Sequence, residues 1–207
     1  MGQCGAGIRA CHVVENNYAQ AIPTNVKWYE RRLPHWHPKE ASIFLTWMLK
    51  GSFPLHCKHS SFTNEDAKLD RADAGPMFLK DPRCAKIVAD AIEYGESAMH
   101  MYRLISYVVM SNHVHLLICP HLPIQRITKV LKGYTARQIN RVLNRTGQPL
   151  WQDESFDRWM RSGSDERTVT RYIESNPVTA GLVDSAEQWL WSTASRKAGR
   201  NACPTVQ

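Results

Sequence analysis

The residues with the plainest chemistry are His113 and His115, set in Tyr107-Val-Val-Met-Ser-Asn-His113-Val-His115-Leu-Leu-Ile-Cys-Pro120. If this run is a strand, its period of two turns both imidazoles to one face and Val114 to the other. Neutral imidazole is a common metal ligand, and two on one strand leave most of a cation's coordination sphere open to a third side chain, water or a phosphate oxygen. The dipeptide spacing alone is weak, since His-x-His in a strand is more often an ordinary polar pair. Its position directly after a tight Ser111-Asn112 break, between two apolar runs, favours a site. His35-Trp36-His37 has the same spacing but lies between Pro34 and Pro38, which argue against a regular ladder. That pair reads as packing or nucleic-acid contact, not as a metal site.

The histidines need elements to hold them. Ala41 to Lys50 is rich in branched and aromatic residues, is closed by Gly51, and reads as a first strand. A polar loop over 56–76 follows. Asp81-Pro82 gives a cap and a first-turn proline, and Ile87, Val88, Ala91 and Ile92 keep helical spacing up to Gly95. Tyr102 to Met110 and His113 to Cys119 form a hairpin. Beyond Pro123, Ile127, Val130, Leu131 and Tyr134 define the apolar face of a second helix ending near Gly147, and this spacing makes Tyr134 a core residue. A short strand over 155–161 and a helix capped by the Ser162-Gly163-Ser164 turn complete the set, with Val169, Tyr172 and Ile173 on the helix's apolar edge. That helix is expected to loosen at Asn176-Pro177, because the residue before proline disfavours helical geometry. The order of elements is that of an α+β fold, a ferredoxin-like antiparallel sheet with helices packed on one side.

The net charge of +7 over 207 residues, with a pI near 9.2, suits a polyanionic partner. Arg126, Lys129, Lys132, Arg137, Arg141 and Arg145 fall on the second predicted helix, and the last three repeat every fourth residue. With no acidic residue from Arg126 to Arg145 to pair with them, this stripe reads better as phosphate-facing than as a solvated face. The six cysteines show no Cys-x-x-Cys pair and no framework spacing, as expected for reduced thiols in a cytoplasmic protein. No apolar run approaches the ~20 residues that cross a bilayer, so no membrane partner is expected.

Three blocks carry a resemblance: Arg32-Leu33-Pro34-His35-Trp36, Val109-Met110-Ser111-Asn112-His113-Val114-His115, and Tyr172 to Val183 with its Asn176-Pro177-Val178 core. In order and spacing they resemble the REP-associated tyrosine transposases, a branch of the single-tyrosine HUH transposases, and Trp189-Leu190-Trp191-Ser192 is similar to the block that closes such domains. The resemblance spans residues 31–192, leaving 1–30 as a loosely ordered extension and 193–207 as a tail. It implies that His113, His115 and Asn176 hold a divalent cation, Mg²⁺ or Mn²⁺, and that Tyr172 is the nucleophile. Ser111 departs from the pattern, in which proline often precedes the equivalent asparagine. The implied activity is cleavage and strand transfer of single-stranded or hairpin DNA through a 5′-phosphotyrosine, by a monomer or homodimer. Arg137, Arg141 and Arg145 would then bind the DNA backbone and Trp36 would stack on an unpaired base.

The residues alone leave alternatives open. A tyrosine on the apolar edge of a helix is usually core, Asn176 could simply end its helix, and Tyr134 is a rival nucleophile. A non-catalytic binding module for hairpin nucleic acid would use the basic stripe and keep the histidines as structure. A hydrolase using water would add Asp153, Glu154 or Asp157 to the histidine pair.

Overall fold

The computed structural model describes residues 29–30, 34–35, 41–52 and 75–201. β1 (Tyr29–Glu30) and β2 (Pro34–His35) form a two-residue antiparallel ladder. Pro34 opens β2, a position where a missing N–H is tolerated, so a proline beside His35 does not prevent a ladder. Trp36 and His37 lie outside the described residues, as does nearly all of the expected N-terminal extension.

The main sheet contains β3 (Ile43–Met48), β4 (Tyr102–Val109), β5 (His113–Pro120) and β6 (Phe156–Trp159), in the order β4-β5-β3-β6 and antiparallel throughout. α1 (Pro82–Ser97) crosses from β3 to β4, and α2 (Ile124–Val142) crosses from β5 to β6. This is the expected ferredoxin-like α+β arrangement, with the two crossover helices on one side. Ile43, Leu45 and Trp47 alternate with Phe44 and Thr46, so the odd positions of β3 bury against α1 and α2 together with Val114, Leu116 and Ile118 of β5. On the other face, Phe44, Val108 and Leu117 pack with Val169 and Ile173 of α3 (Gly163–Thr179). β5 is therefore covered on both faces, which explains its almost unbroken apolar run.

Several element ends differ from the sequence reading. Gly95 does not stop α1: it is buried inside the helix, where its missing side chain admits the Tyr102 ring. The Tyr102 hydroxyl donates to the Ile92 carbonyl at 2.6 Å, and burial pushes its pKa up. α3 does not loosen at Asn176 but runs through Pro177 and ends on a Schellman motif. Gly181 takes φ +68°, Leu182 N–H donates to the Pro177 carbonyl and Gly181 N–H to that of Val178. α2 ends earlier than expected, at Val142, where Leu143 caps it and Asn144 takes φ +54°. The expected tail begins with α4 (Thr193–Asn201). The Thr193 hydroxyl accepts from Tyr107 N–H at 2.7 Å, Arg196 pairs with Glu93 of α1, and Lys197 pairs with Glu174 of α3.

A Cβ on residue 95 would stand 2.8 Å from the Tyr102 ring carbon that bears the hydroxyl. Gly95→Ala should therefore cost ~1–3 kcal/mol through overpacking, despite alanine's better helix propensity. Denaturant unfolding measures this, and an unchanged midpoint would show that Tyr102 yields freely.

Candidate active site

β5 pairs with β3 so that Thr46 lies directly opposite His115 and Met48 opposite His113. Both histidines are fully buried on the face that α3 covers. An imidazole shut away from water needs a partner for each ring nitrogen. His113 Nδ1 lies 2.7 Å from the side-chain oxygen of Asn112, and His115 Nδ1 lies 2.8 Å from the hydroxyl of Thr46. The two Nε2 atoms turn toward each other at 3.0 Å. Val114 points to the opposite core, as the period of two requires.

α3 brings Tyr172 to this pair. The Tyr172 ring centroid lies 5.5 Å from that of His115 and 6.3 Å from that of Phe44, and the side chain is half-buried. Asn176, one turn further along the helix, is 1% exposed, and among the described residues neither its amide nitrogen nor its amide oxygen has a hydrogen-bond partner. Leaving such a group unsatisfied costs ~1–3 kcal/mol, so a buried orphan amide calls for a ligand or a functional reason. Glu166, at the N-terminal end of α3, receives a hydrogen bond from Ser42 at the start of β3. With Phe44 against Tyr172 further along both elements, helix and strand run in the same direction, and α3 continues from Tyr172 toward the end of the sheet where His113 sits.

These groups suit a divalent cation. The two Nε2 atoms face each other at 3.0 Å, so one ion held there would draw on both rings. An orphan amide oxygen is a hard donor of the kind Mg²⁺ and Mn²⁺ accept, and two imidazoles with one amide leave positions for phosphate oxygens.

The acidic residues weighed for a hydrolase do not join the histidines. Asp157 pairs with Leu45, on the side of the sheet away from them, and Asp153 is exposed. Among the described residues no group of three or more His, Cys, Asp or Glu could hold a metal ion. Tyr134 is not core as its spacing suggested. It is 45% exposed on α2, on the far side of the sheet from the histidines, and lines a cleft of about 720 Å³ between α1 and α2 with Tyr94, Met99, Lys129 and Arg137.

The basic stripe is also changed. Arg137 and Arg141 are exposed on α2, but Arg145 lies beyond the end of that helix and folds over Phe78, 4.2 Å from its ring centre, so it leaves the stripe. On the histidine side, Arg158 of β6 pairs in register with Phe44, has a side chain 43% exposed, and stands 4.0 Å from Asp165. The sequence reading missed Arg158 and Thr46, and it placed Asn112 in the turn without its contact to His113. Thr46 could have been noticed as the one hydroxyl within Ile43-Phe-Leu-Thr-Trp-Met48.

Residues 81–176 match the model of the family described as transposase, IS200-like. Over those residues the chain is similar to the IS200-like transposases, and the matched segment holds His113, His115 and Tyr172 and ends on Asn176. A solved REP-associated tyrosine transposase bound to a REP hairpin shares its fold at TM-score 0.56 and 16% identity, over 84% of this chain and 89% of that one. A second structure, described as a candidate transposase from Deinococcus radiodurans R1, aligns at TM-score 0.38 and 21% identity over 68% of this chain and 93% of that one. No curated protein matches the chain. Among the described residues, no helix is long and apolar enough to cross a membrane.

The orphan amide of Asn176 can be tested directly. Without divalent cation, Asn176→Leu should be neutral or stabilising, because it removes an unsatisfied buried group of similar volume. Wild type should gain thermal stability on adding Mn²⁺ through ligand linkage, and the variant should lose most of that gain. Equal Mn²⁺ shifts in a melting experiment would remove Asn176 from the ligand set.

Proposed function

We propose that this transposase domain cleaves and rejoins single-stranded DNA at hairpin-forming sites through a covalent 5′-phosphotyrosine on Tyr172, with a divalent cation at His113, His115 and Asn176. The observation that carries this reading is the convergence of two imidazole Nε2 atoms 3.0 Å apart, a tyrosine ring 5.5 Å from one of them and a buried orphan amide on the same helix. A bound cation would polarise the scissile phosphate and offset the charge that develops there. The protein's own groups do the rest. Asn112 and Thr46 fix the ring planes, the apolar contacts of Val169 and Ile173 hold α3 against the sheet, and the flank of Phe44 sets the pose of the Tyr172 ring.

In the step itself the Tyr172 oxygen forms a bond to phosphorus and the bond from phosphorus to the 3′ oxygen breaks. The phenol gives up its proton, and the departing 3′ oxygen takes one up. A free phenol has a pKa near 10, so the reaction depends on stabilising the phenolate as it attacks. The phosphotyrosine keeps the energy of the broken phosphodiester, which lets the same residue pass the 5′ end to another 3′-hydroxyl. Arg158, on the cutting side, is placed to meet a phosphate of the cleaved strand. Arg137 and Arg141 lie on the other side, where they would hold a different part of the DNA.

Tyr172→Phe removes the attacking oxygen and little volume. It should retain fold and DNA affinity while losing both cleavage and the covalent adduct on a denaturing gel, with Tyr134→Phe active as its control. His113→Ala or His115→Ala should abolish Mn²⁺-dependent cleavage of a hairpin oligonucleotide. Full activity in Tyr172→Phe, or in both histidine variants, contradicts the assignment. A wild-type protein that binds hairpins and never forms an adduct would favour the binding-module reading.

Charge makes a separate prediction. Each lost phosphate contact should lower the steepness of log K against log salt by about 0.7 on single strands. Arg137→Gln and Arg141→Gln should each flatten that slope, and Arg145→Gln should not, because its guanidinium is stacked on Phe78. Equal slopes in all three variants would make the α2 face an ordinary solvated surface.

A further inference from the structure

Resting on the proposed DNA-cleaving role of this site, we propose that Phe156 of β6 is a stacking platform for an unpaired base near the scissile phosphate, with Arg158 beside it holding the backbone of the same strand. β6 is an edge strand of the sheet, and Phe156 and Arg158 stand two residues apart on it, so their side chains share a face. The register identifies that face. Phe156 lies opposite Thr46 and Arg158 opposite Phe44, while Thr46 lies in turn opposite His115 on β5. His115, Thr46 and Phe156 therefore form one row across three strands. With neighbouring strands ~4.8 Å apart, the row places Phe156 about 10 Å from His115 across the sheet.

The path of α3 opens this corner of the sheet. The helix begins where β3 starts and β6 ends, with Glu166 bonded to Ser42 and Asp165 standing 4.0 Å from Arg158. It then packs chiefly on β4, so it draws away from β6 as it runs past Tyr172. Tyr172 on the helix and Phe156 on the strand are both half-buried, and both border the cluster built on Phe44. A ring at the rim of a core ordinarily just closes it. Phe156 differs in lying in the histidine row and in sharing its face with a cation about 7 Å further along β6. A flat ring followed by a guanidinium suits what a single strand offers, a base with a π-face and a charged backbone. DNA rises 3.4 Å per nucleotide in a duplex and roughly twice that in an extended strand, so the row fits a base one or two nucleotides from a phosphate held at His115. Such stacking tolerates any base, because every base has a π-face.

The test uses the full-length chain and a hairpin oligonucleotide with a single-stranded flank, in which each flank nucleotide is made abasic in turn and binding is read by fluorescence anisotropy. One abasic position, within two nucleotides of the cut, should weaken wild-type binding about 5–150-fold, the equivalent of one base–aromatic stack. Phe156→Leu keeps the apolar packing. It should bind the intact strand more weakly by a similar factor and lose nothing more at the abasic position, and Phe156→Tyr should restore the difference. Stacking releases no counterions, so the salt slope should stay the same in Phe156→Leu and become about 0.7 shallower in Arg158→Gln. A 5-iodouracil at the sensitive position should crosslink the wild type at the peptide that bears Phe156, a readout that needs no variant to fold. Phe156→Leu binding the intact strand as tightly as the wild type, or still losing affinity at the abasic position, overturns the proposal, as does a crosslink mapped elsewhere. These measurements read binding alone. An absent Tyr172 adduct would contradict the proposed function and leave them standing, whereas a normal adduct with no sensitive position in the flank contradicts only the stacking.

Discussion

The arrangement turns on two imidazoles buried side by side on the central strand of a sheet that is covered on both faces. Polar rings in such a place are tolerated only if their nitrogens are occupied, and the structure occupies the two Nδ1 atoms with Asn112 and Thr46. This leaves both Nε2 atoms aimed at one point, beside the helix that bears Tyr172. Moving β3 by one residue against β5 would put Leu45 or Trp47 opposite His115 in place of Thr46, and the ring would lose its partner. The register of one strand pair therefore fixes the chemistry of the site.

The sheet also divides labour between its faces. The histidines, Tyr172, Asn176 and Arg158 belong to the side covered by α3. The cleft between α1 and α2, with Tyr94, Tyr134, Lys129 and Arg137, belongs to the other. A DNA substrate that uses both must pass around an edge of the sheet. α3 is tied at both ends, by Ser42 to Glu166 near its start and by Lys197 of α4 to Glu174 near Tyr172. The indole N–H of Trp189 adds a bond to the Val109 carbonyl at 3.0 Å. The helix that presents Tyr172 is thus tied to β3 and to the C-terminal helix, and the segment after it to the end of β4.

The local parts of this site were legible in the sequence. The period of two predicted that His113 and His115 share a face, and the cap residues Asp81 and Ser162 marked the starts of α1 and α3. The non-local parts were not. Thr46 and His115 are 69 positions apart, and only the folded register makes them partners. Arg145 seemed to extend the stripe because Arg137 and Arg141 precede it at helical spacing, but the left-handed turn at Asn144 ends that spacing before Arg145 is reached. Pro177 suggested a helix end, while the glycine that ends α3 lies four residues later, at Gly181. Tyr134 fits an apolar stripe by spacing, yet it sits at the edge of that stripe and opens onto the cleft. α4 offers few apolar residues, and it is held instead by the Thr193 hydroxyl and by ion pairs to Glu93 and Glu174.

On the proposed function, a strand end becomes bonded to Tyr172, on the same side of the sheet as the two histidines. The most direct measurement is tandem mass spectrometry of the digested protein after reaction with a hairpin oligonucleotide and Mn²⁺. A nucleotide attached through its 5′-phosphate to the peptide containing Tyr172 is expected with Mn²⁺ and not with chelator. A nucleotide mapped to Tyr134 or any other residue, or an adduct equally abundant with the metal removed, would contradict it.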